Sequence, residues 1–137
     1  MSAGVQRQAV ATPSTIGITH VDLTYLAGHE NVYLGKEVLT HGCLVYAFHG
    51  LFIHSCGDAN GRHIVLLDIP DSKWNLIGDI TRPMRSMDDK LDIEGEADFI
   101  GTIVQQNATD QLGNEMENKV FVLRLQDVRN PQIFRKH

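Results

Sequence analysis

The segment from Leu91 to Gln105 constrains the fold more than any other part of this chain. Leu91, Ile93, Ala97, Phe99 and Ile103 recur on one side of an extended backbone, while Asp92, Glu94, Glu96 and Asp98 occupy the other. A period of two sustained this long describes a β-strand with one face on a core and one on solvent. Gly95 and Gly101 fall among the inward positions, where a missing side chain lets a long strand coil strongly, as strands do when a sheet curves back on itself. A ribbon of this kind has unpaired edges, so the rest of the chain has to supply its neighbours.

Those neighbours are legible. From Val38 to Phe48, Cys43, Val45 and Ala47 share one face and Leu44, Tyr46 and Phe48 the other; apolar residues on both faces predict a central strand. Gly50 marks a bend, and extended chain resumes from Leu51 to Cys56. Gly57-Asp58-Ala59-Asn60-Gly61 is a hairpin turn leading into His63 to Ile69, which Pro70 stops. Lys119 to Val128 sets Phe121, Leu123 and Leu125 on one face and is expected to form a hairpin with the alternating segment across the polar loop 107–118. Near the start, Ile16 and Ile18, followed by Val21, Leu23 and Tyr25 in the opposite phase, read as a strand with a bulge near His20, and Gly28 to Lys36 as turn chemistry.

Strand signals lapse from Asp71 to Lys90. Asp71 or Ser72 is placed to cap a short helix through Trp74 and Leu76, Met84 and Met87 have helical spacing around Arg85, and Pro83 keeps the insert short. The pattern predicts a mainly β protein, a small curved sheet or closed barrel of five or six antiparallel strands with one short helical insert. An oligonucleotide-binding-type (OB-like) barrel is the first expectation and a β-sandwich the second; this is an architectural analogy carried by no motif. With 137 residues the chain is one domain: a flexible arm over 1–14, a β domain over 15–130, and a basic tail over 131–137 with Phe134 as an anchor.

Charge and composition narrow the function. A net charge of −5 gives no general attraction to nucleic acid or anionic lipid, so any polyanion site has to be local. No apolar run approaches a membrane span and the first residues lack the features of a secretory signal, which makes cytoplasm or nucleus the expectation. Cys43 and Cys56 are expected as free buried thiols, with a bridge across a hairpin as the alternative in an oxidising compartment. The sequon at Asn107 matters only for a secreted chain.

Seven histidines raise the question of a metal. His54 and Cys56 project from one face of an extended segment, and His63 is within reach across the turn, so these three are the candidate ligands, although the spacing matches no zinc pattern. The plainer alternative pairs His54 with His63 across strands and packs Cys56 as a small apolar residue. Nucleophilic elbow, phosphate loop and His-Glu-x-x-His helix are all missing, so no catalytic residues are assigned and no cofactor is expected. The row Asp92, Glu94, Glu96, Asp98 spaces its carboxylates about 6.6 to 7 Å apart, too far to chelate one ion unaided, and reads as a solvated face.

Stacking residues near positive charge are the chemistry of single-strand binding. Tyr46, Phe48, Phe52 and Trp74 are the aromatic candidates, with Lys73, Arg82, Arg85 and Lys90 beside them. The resulting expectation is a non-catalytic binding or assembly module, a subunit of a larger complex, with other protein subunits as partners and single-stranded nucleic acid as the leading non-protein ligand. The alternative is a small enzyme or metal-binding protein using His49, His54, Cys56 and His63.

Overall fold

The computed structural model describes residues 17–47, 50–58, 62–82, 93–110 and 112–135, with backbone alone at 46, 47 and 50. The arm over 1–14, Phe48, His49, Arg85, Lys90, Leu91, Asp92, Met84 and Met87 lie outside the described residues. In chain order the elements are β1 (Ile18–His20), α1 (Leu23–Leu26), a 3-10 turn (Glu30–Tyr33), β2 (Glu37–Ala47), β3 (Gly50–His54), β4 (Ile64–Asp68), a 3-10 turn (Asp71–Lys73), α2 (Trp74–Thr81), β5 (Ile93–Thr109) and β6 (Glu115–Arg135).

The protein is mainly β, with one six-stranded sheet and a short helix between β4 and β5. The sheet is mixed: β1 runs parallel to β2 and β4 parallel to β6, while the other pairings are antiparallel. Its hydrogen bonds form a ring. The order β2, β3, β4, β6, β5 returns to β2 through an eight-rung ladder from Glu37↔Thr102 to Leu44↔Gly95. β2 therefore is the central strand its two apolar faces predicted, with β5 on one edge and β1 and β3 sharing the other.

Alternation in β5 survives on its core face. Ala97, Phe99 and Ile103 meet Val38, Leu44, Ile53, Val65, Leu123 and Leu125 in the core, which Ile77 and Ile80 of α2 close at one side; Ile93 is buried as well, and so are Glu94 and Ile100 on the opposite face. Gly101 sits where the β5–β6 register shifts, and a Cβ there would lie 2.3 Å from the Arg124 carbonyl oxygen. Gly42 on β2 has the same role against β3, since its Cβ would stand 2.6 Å from the Ile53 side chain and 2.8 Å from the His54 carbonyl. Both glycines let neighbouring strands approach more closely than any side chain permits.

Three local expectations give way. Val21, Leu23 and Tyr25 do not extend a strand beyond His20: Asp22 caps a single helical turn, its carboxylate accepting the N–H groups of Thr24 (3.1 Å) and Tyr25 (3.4 Å). An N-cap acceptor at the strand end satisfies donors that a continuing strand would leave to a neighbour. Asn130-Pro131 does not end the domain either, because β6 continues to Arg135 and pairs Phe134 with Glu94. Asn130 takes a left-handed conformation (φ 54°) and the two residues between Arg129 and Gln132 face one residue of β5, a bulge in which Pro131 needs no ladder donor. The cysteines are not free thiols: Cys43 and Cys56 form a disulfide, with Cα atoms 5.0 Å apart. The β2–β3 register pairs Cys43 with His54, which places Cys56, two residues on, within bridging distance.

Candidate functional site

On the outer side of β2 and β5, Glu94, Glu96 and Asp98 of the acidic row are partnered rather than solvated. His41 lies opposite Asp98, and Cys43 opposite Glu96, in the β2–β5 register. The His41 ring bridges the two carboxylates, Nδ1 to Asp98 at 2.7 Å and Nε2 to Glu96. From the other edge of β5, Asn130 donates to Asp98 (2.9 Å) and Gln132 to Glu96 (3.0 Å). Burial alone would lower the His41 pKa, but the hydrogen bonds and charges of Asp98 and Glu96 outweigh it and raise the pKa above the ordinary 6.5. Asp98 moves the other way: burial opposes ionisation, and the Asn130 amide together with the His41 and His20 charges holds the carboxyl below its usual range.

A second histidine answers a second carboxylate. Glu94 and His54 are both buried, and Nε2 of His54 meets Oε2 of Glu94 at 2.5 Å. The remaining Glu94 oxygen accepts the Gly57 N–H at 3.1 Å, so the carboxylate ties the loop after β3 down onto β5. Phe134 covers that loop from β6, its ring 3.2 Å from where a Gly57 Cβ would be.

The structure distributes the predicted metal ligands rather than uniting them. His54 is committed to Glu94, Cys56 to Cys43, and His63 is exposed ahead of β4. The β3–β4 register pairs His54 with Ile64, so the cross-strand pairing of His54 with His63 does not form. Among the described residues, the donor atoms that do converge are those of His41, Cys56 and Glu96, all within 4.8 Å of one another. Sequence reasoning missed His41 and set Glu96 aside because they reach Cys56 only through the β2–β5 ladder, whose register no short-range pattern in the chain reveals.

No family model matches this chain, and neither a curated protein nor a solved structure matches it.

The candidate binding residues divide by location. Phe52 is half-buried on the outer side of β3, beside Val45 of β2 and Leu66 of β4. Ile64 and Leu66 are likewise half-buried, whereas Leu51, Ile53, Val65 and Leu67 point into the core. Trp74, 49% exposed, opens α2 next to Lys73, and Arg82 at the end of the helix pairs with Asp79 at 3.2 Å. A groove of about 320 Å³ runs beside β4 toward the β5–β6 hairpin, lined in part by Leu66, Leu67, Ala108, Val120 and Val122. Tyr46 belongs to β2 by its backbone. No helix among the described residues is long and apolar enough to cross a membrane.

Proposed function

We propose that the protein is a non-catalytic binding module of the OB type, working as a subunit of a larger assembly, with the outer surface of β3 and β4 as its ligand face. One observation carries this reading: a half-buried apolar stripe of Phe52, Ile64 and Leu66 lies on the outer side of strands that belong to a closed ring of hydrogen bonds. The ring order, the helix between the third and fourth ring strands, and the continuity of this stripe with the groove support the OB analogy, in which the second and third strands hold an extended ligand. The ligand class is single-stranded nucleic acid: Phe52 offers a stacking face, with Lys73, Trp74, Arg82, Arg85 and Lys90 of the insert as supplementary contacts. Part of the negative charge of the β5 row is offset locally, since His41 lies between Glu96 and Asp98 and they hold its proton more tightly than an ordinary imidazole holds one.

Assembly with other subunits is supported by the segment between β1 and β2, where Tyr25, Val32 and Leu34 are 48, 50 and 48% exposed within ten residues. Tyr25 stacks on His29 with ring centres 4.0 Å apart, a rigid apolar surface of the kind protein partners use.

Fluorescence anisotropy with a labelled single strand at low salt tests the ligand. Binding that weakens roughly tenfold in Phe52→Ala, and steeply with added salt, is the expected result. Absence of binding at low salt removes nucleic acid from the reading; an unchanged Phe52→Ala removes the face. Pull-downs with Tyr25→Ser plus Leu34→Ser, expected to lose partners that the wild type retains, test the assembly.

A further inference from the structure

We propose that His41, Cys56 and Glu96, with Cys43 as the fourth donor, form a zinc site that opens only when the Cys43–Cys56 disulfide is reduced. The inference is independent of the ligand face on β3 and β4, and it replaces the ligand set that sequence spacing indicated.

The geometry comes from two ladders. β5 brings Glu96 opposite Cys43, and β3 carries Cys56 back over the same outer surface, two residues past His54. One imidazole nitrogen, one sulfur and one carboxylate oxygen then lie within 4.8 Å of each other. In a tetrahedral zinc site, donors at the usual bond lengths stand about 3.5 Å apart, a difference that side-chain rotation can close. Cys43 is already bonded to Cys56, so a metal reached by one sulfur is within reach of the other. A set of two thiolates, one imidazole and one carboxylate is soft enough to favour zinc over magnesium or calcium. The outer shell is present too: Gln132 donates to Glu96, and Asp98 accepts from His41 Nδ1, which leaves Nε2 as the ligating atom.

Disulfide and metal compete for the same sulfurs. A dithiol reductant attacks one sulfur, the S–S bond breaks, a mixed disulfide forms, and the second reductant thiol displaces the protein sulfur; the reductant leaves as its own disulfide while Cys43 and Cys56 take up two protons. Zinc binding then releases both thiol protons, together with the imidazolium proton wherever His41 carries one. In the oxidised protein neither sulfur has a thiolate to offer, and His41 stays bridged between its carboxylates.

The test compares the full-length wild-type protein, oxidised and after phosphine reduction under argon, in zinc competition with a chromophoric chelator, and in cobalt titrations read by the thiolate-to-cobalt charge-transfer band. The reduced protein is expected to take up one zinc with at least a hundredfold tighter binding than the oxidised protein, and to show the cobalt band. His41→Ala and Glu96→Gln are expected to weaken zinc at least tenfold, while His63→Ala leaves it unchanged. Circular dichroism of the reduced, metal-free protein tells whether the fold persists; Cys43→Ser, which cannot form the disulfide and keeps the three converging donors, supplies a second measurement and should bind zinc without reductant, more weakly than the reduced wild type and more tightly than the oxidised wild type. Equal zinc binding by oxidised and reduced protein, or loss of binding in His63→Ala with none in His41→Ala, overturns the proposal.

Discussion

Replacing His54 by leucine isolates the role of the buried pair beneath the loop after β3. The side chains of His54 and Glu94 are 9 and 10% exposed, so water cannot replace the partner that the substitution removes. Glu94 would keep the Gly57 N–H at 3.1 Å and lose the His54 donor at 2.5 Å. A hydrogen bond to a charged group contributes about 1.5–3 kcal/mol, and a buried charged acceptor left short of a donor puts the cost at the top of that range. Leucine cannot donate and the Gly57 contact survives, so the expected loss is about 3 kcal/mol. For a domain of this size a urea slope of about 1.5–2 kcal/mol per molar converts that loss into a midpoint about 1.5–2 M lower. Urea unfolding followed by circular dichroism measures it, and a cycle with Glu94→Gln should return a coupling above about 1 kcal/mol. A midpoint within about 0.3 M of the wild type, or strictly additive variants, would refute the reasoning and return His54 to the pool of candidate ligands.

Gly101→Ala forces a Cβ to within 2.3 Å of the Arg124 carbonyl oxygen, so a loss of about 2–3 kcal/mol or failure to fold is expected in the same urea assay. Thr40 is 1% exposed and its hydroxyl has no partner among the described residues, so Thr40→Val should stabilise by about 1 kcal/mol and raise Tm by about 3 °C in calorimetry. His41 binds its proton more tightly folded than unfolded, so its contribution is complete below 6.5 and is lost as pH rises through the raised folded value. Asp98 contributes above 3.8 and is lost as pH falls through its lowered value. The stability gap between wild type and His41→Gln should therefore be widest between these limits and shrink as pH rises through the raised His41 value, and it should stay below about 1 kcal/mol because the ring is half-exposed and screened.

Much of the fold was legible because β-sheet physics is written at short range. Alternation in Leu91 to Gln105, the doubly apolar run around Leu44, and the glycine turn after Cys56 follow from side chains pointing to opposite faces every residue, and they named the long curved strand, the central strand and the β3–β4 hairpin. The insert was readable for the complementary reason, since strand periodicity lapses after Pro70 and the structure places a 3-10 turn and α2 there; the expected cap does not form, because Asp71 and Ser72 lie within the 3-10 turn and Lys73 stands at the N-cap of α2 with no side-chain hydrogen bond. Capping by Asp22 was equally local, but the alternating Val21, Leu23 and Tyr25 masked it, and a single helical turn has no periodicity of its own to set against a strand pattern.

The site is a different matter. Sequence by itself determined which residues alternate, where the chain turns, and that His54 and Cys56 share a face. Tertiary structure alone decided that β2 lies between β5 and β3, and this one arrangement set His41 between Glu96 and Asp98, gave Glu94 to His54, and bonded Cys43 to Cys56. The physical reason is that strand neighbours are chosen by burial of the inner face, while the outer side chains meet as a consequence of register. Partners separated by 55 and 57 positions, as His41 is from Glu96 and Asp98, leave no periodic trace in the chain that encodes them.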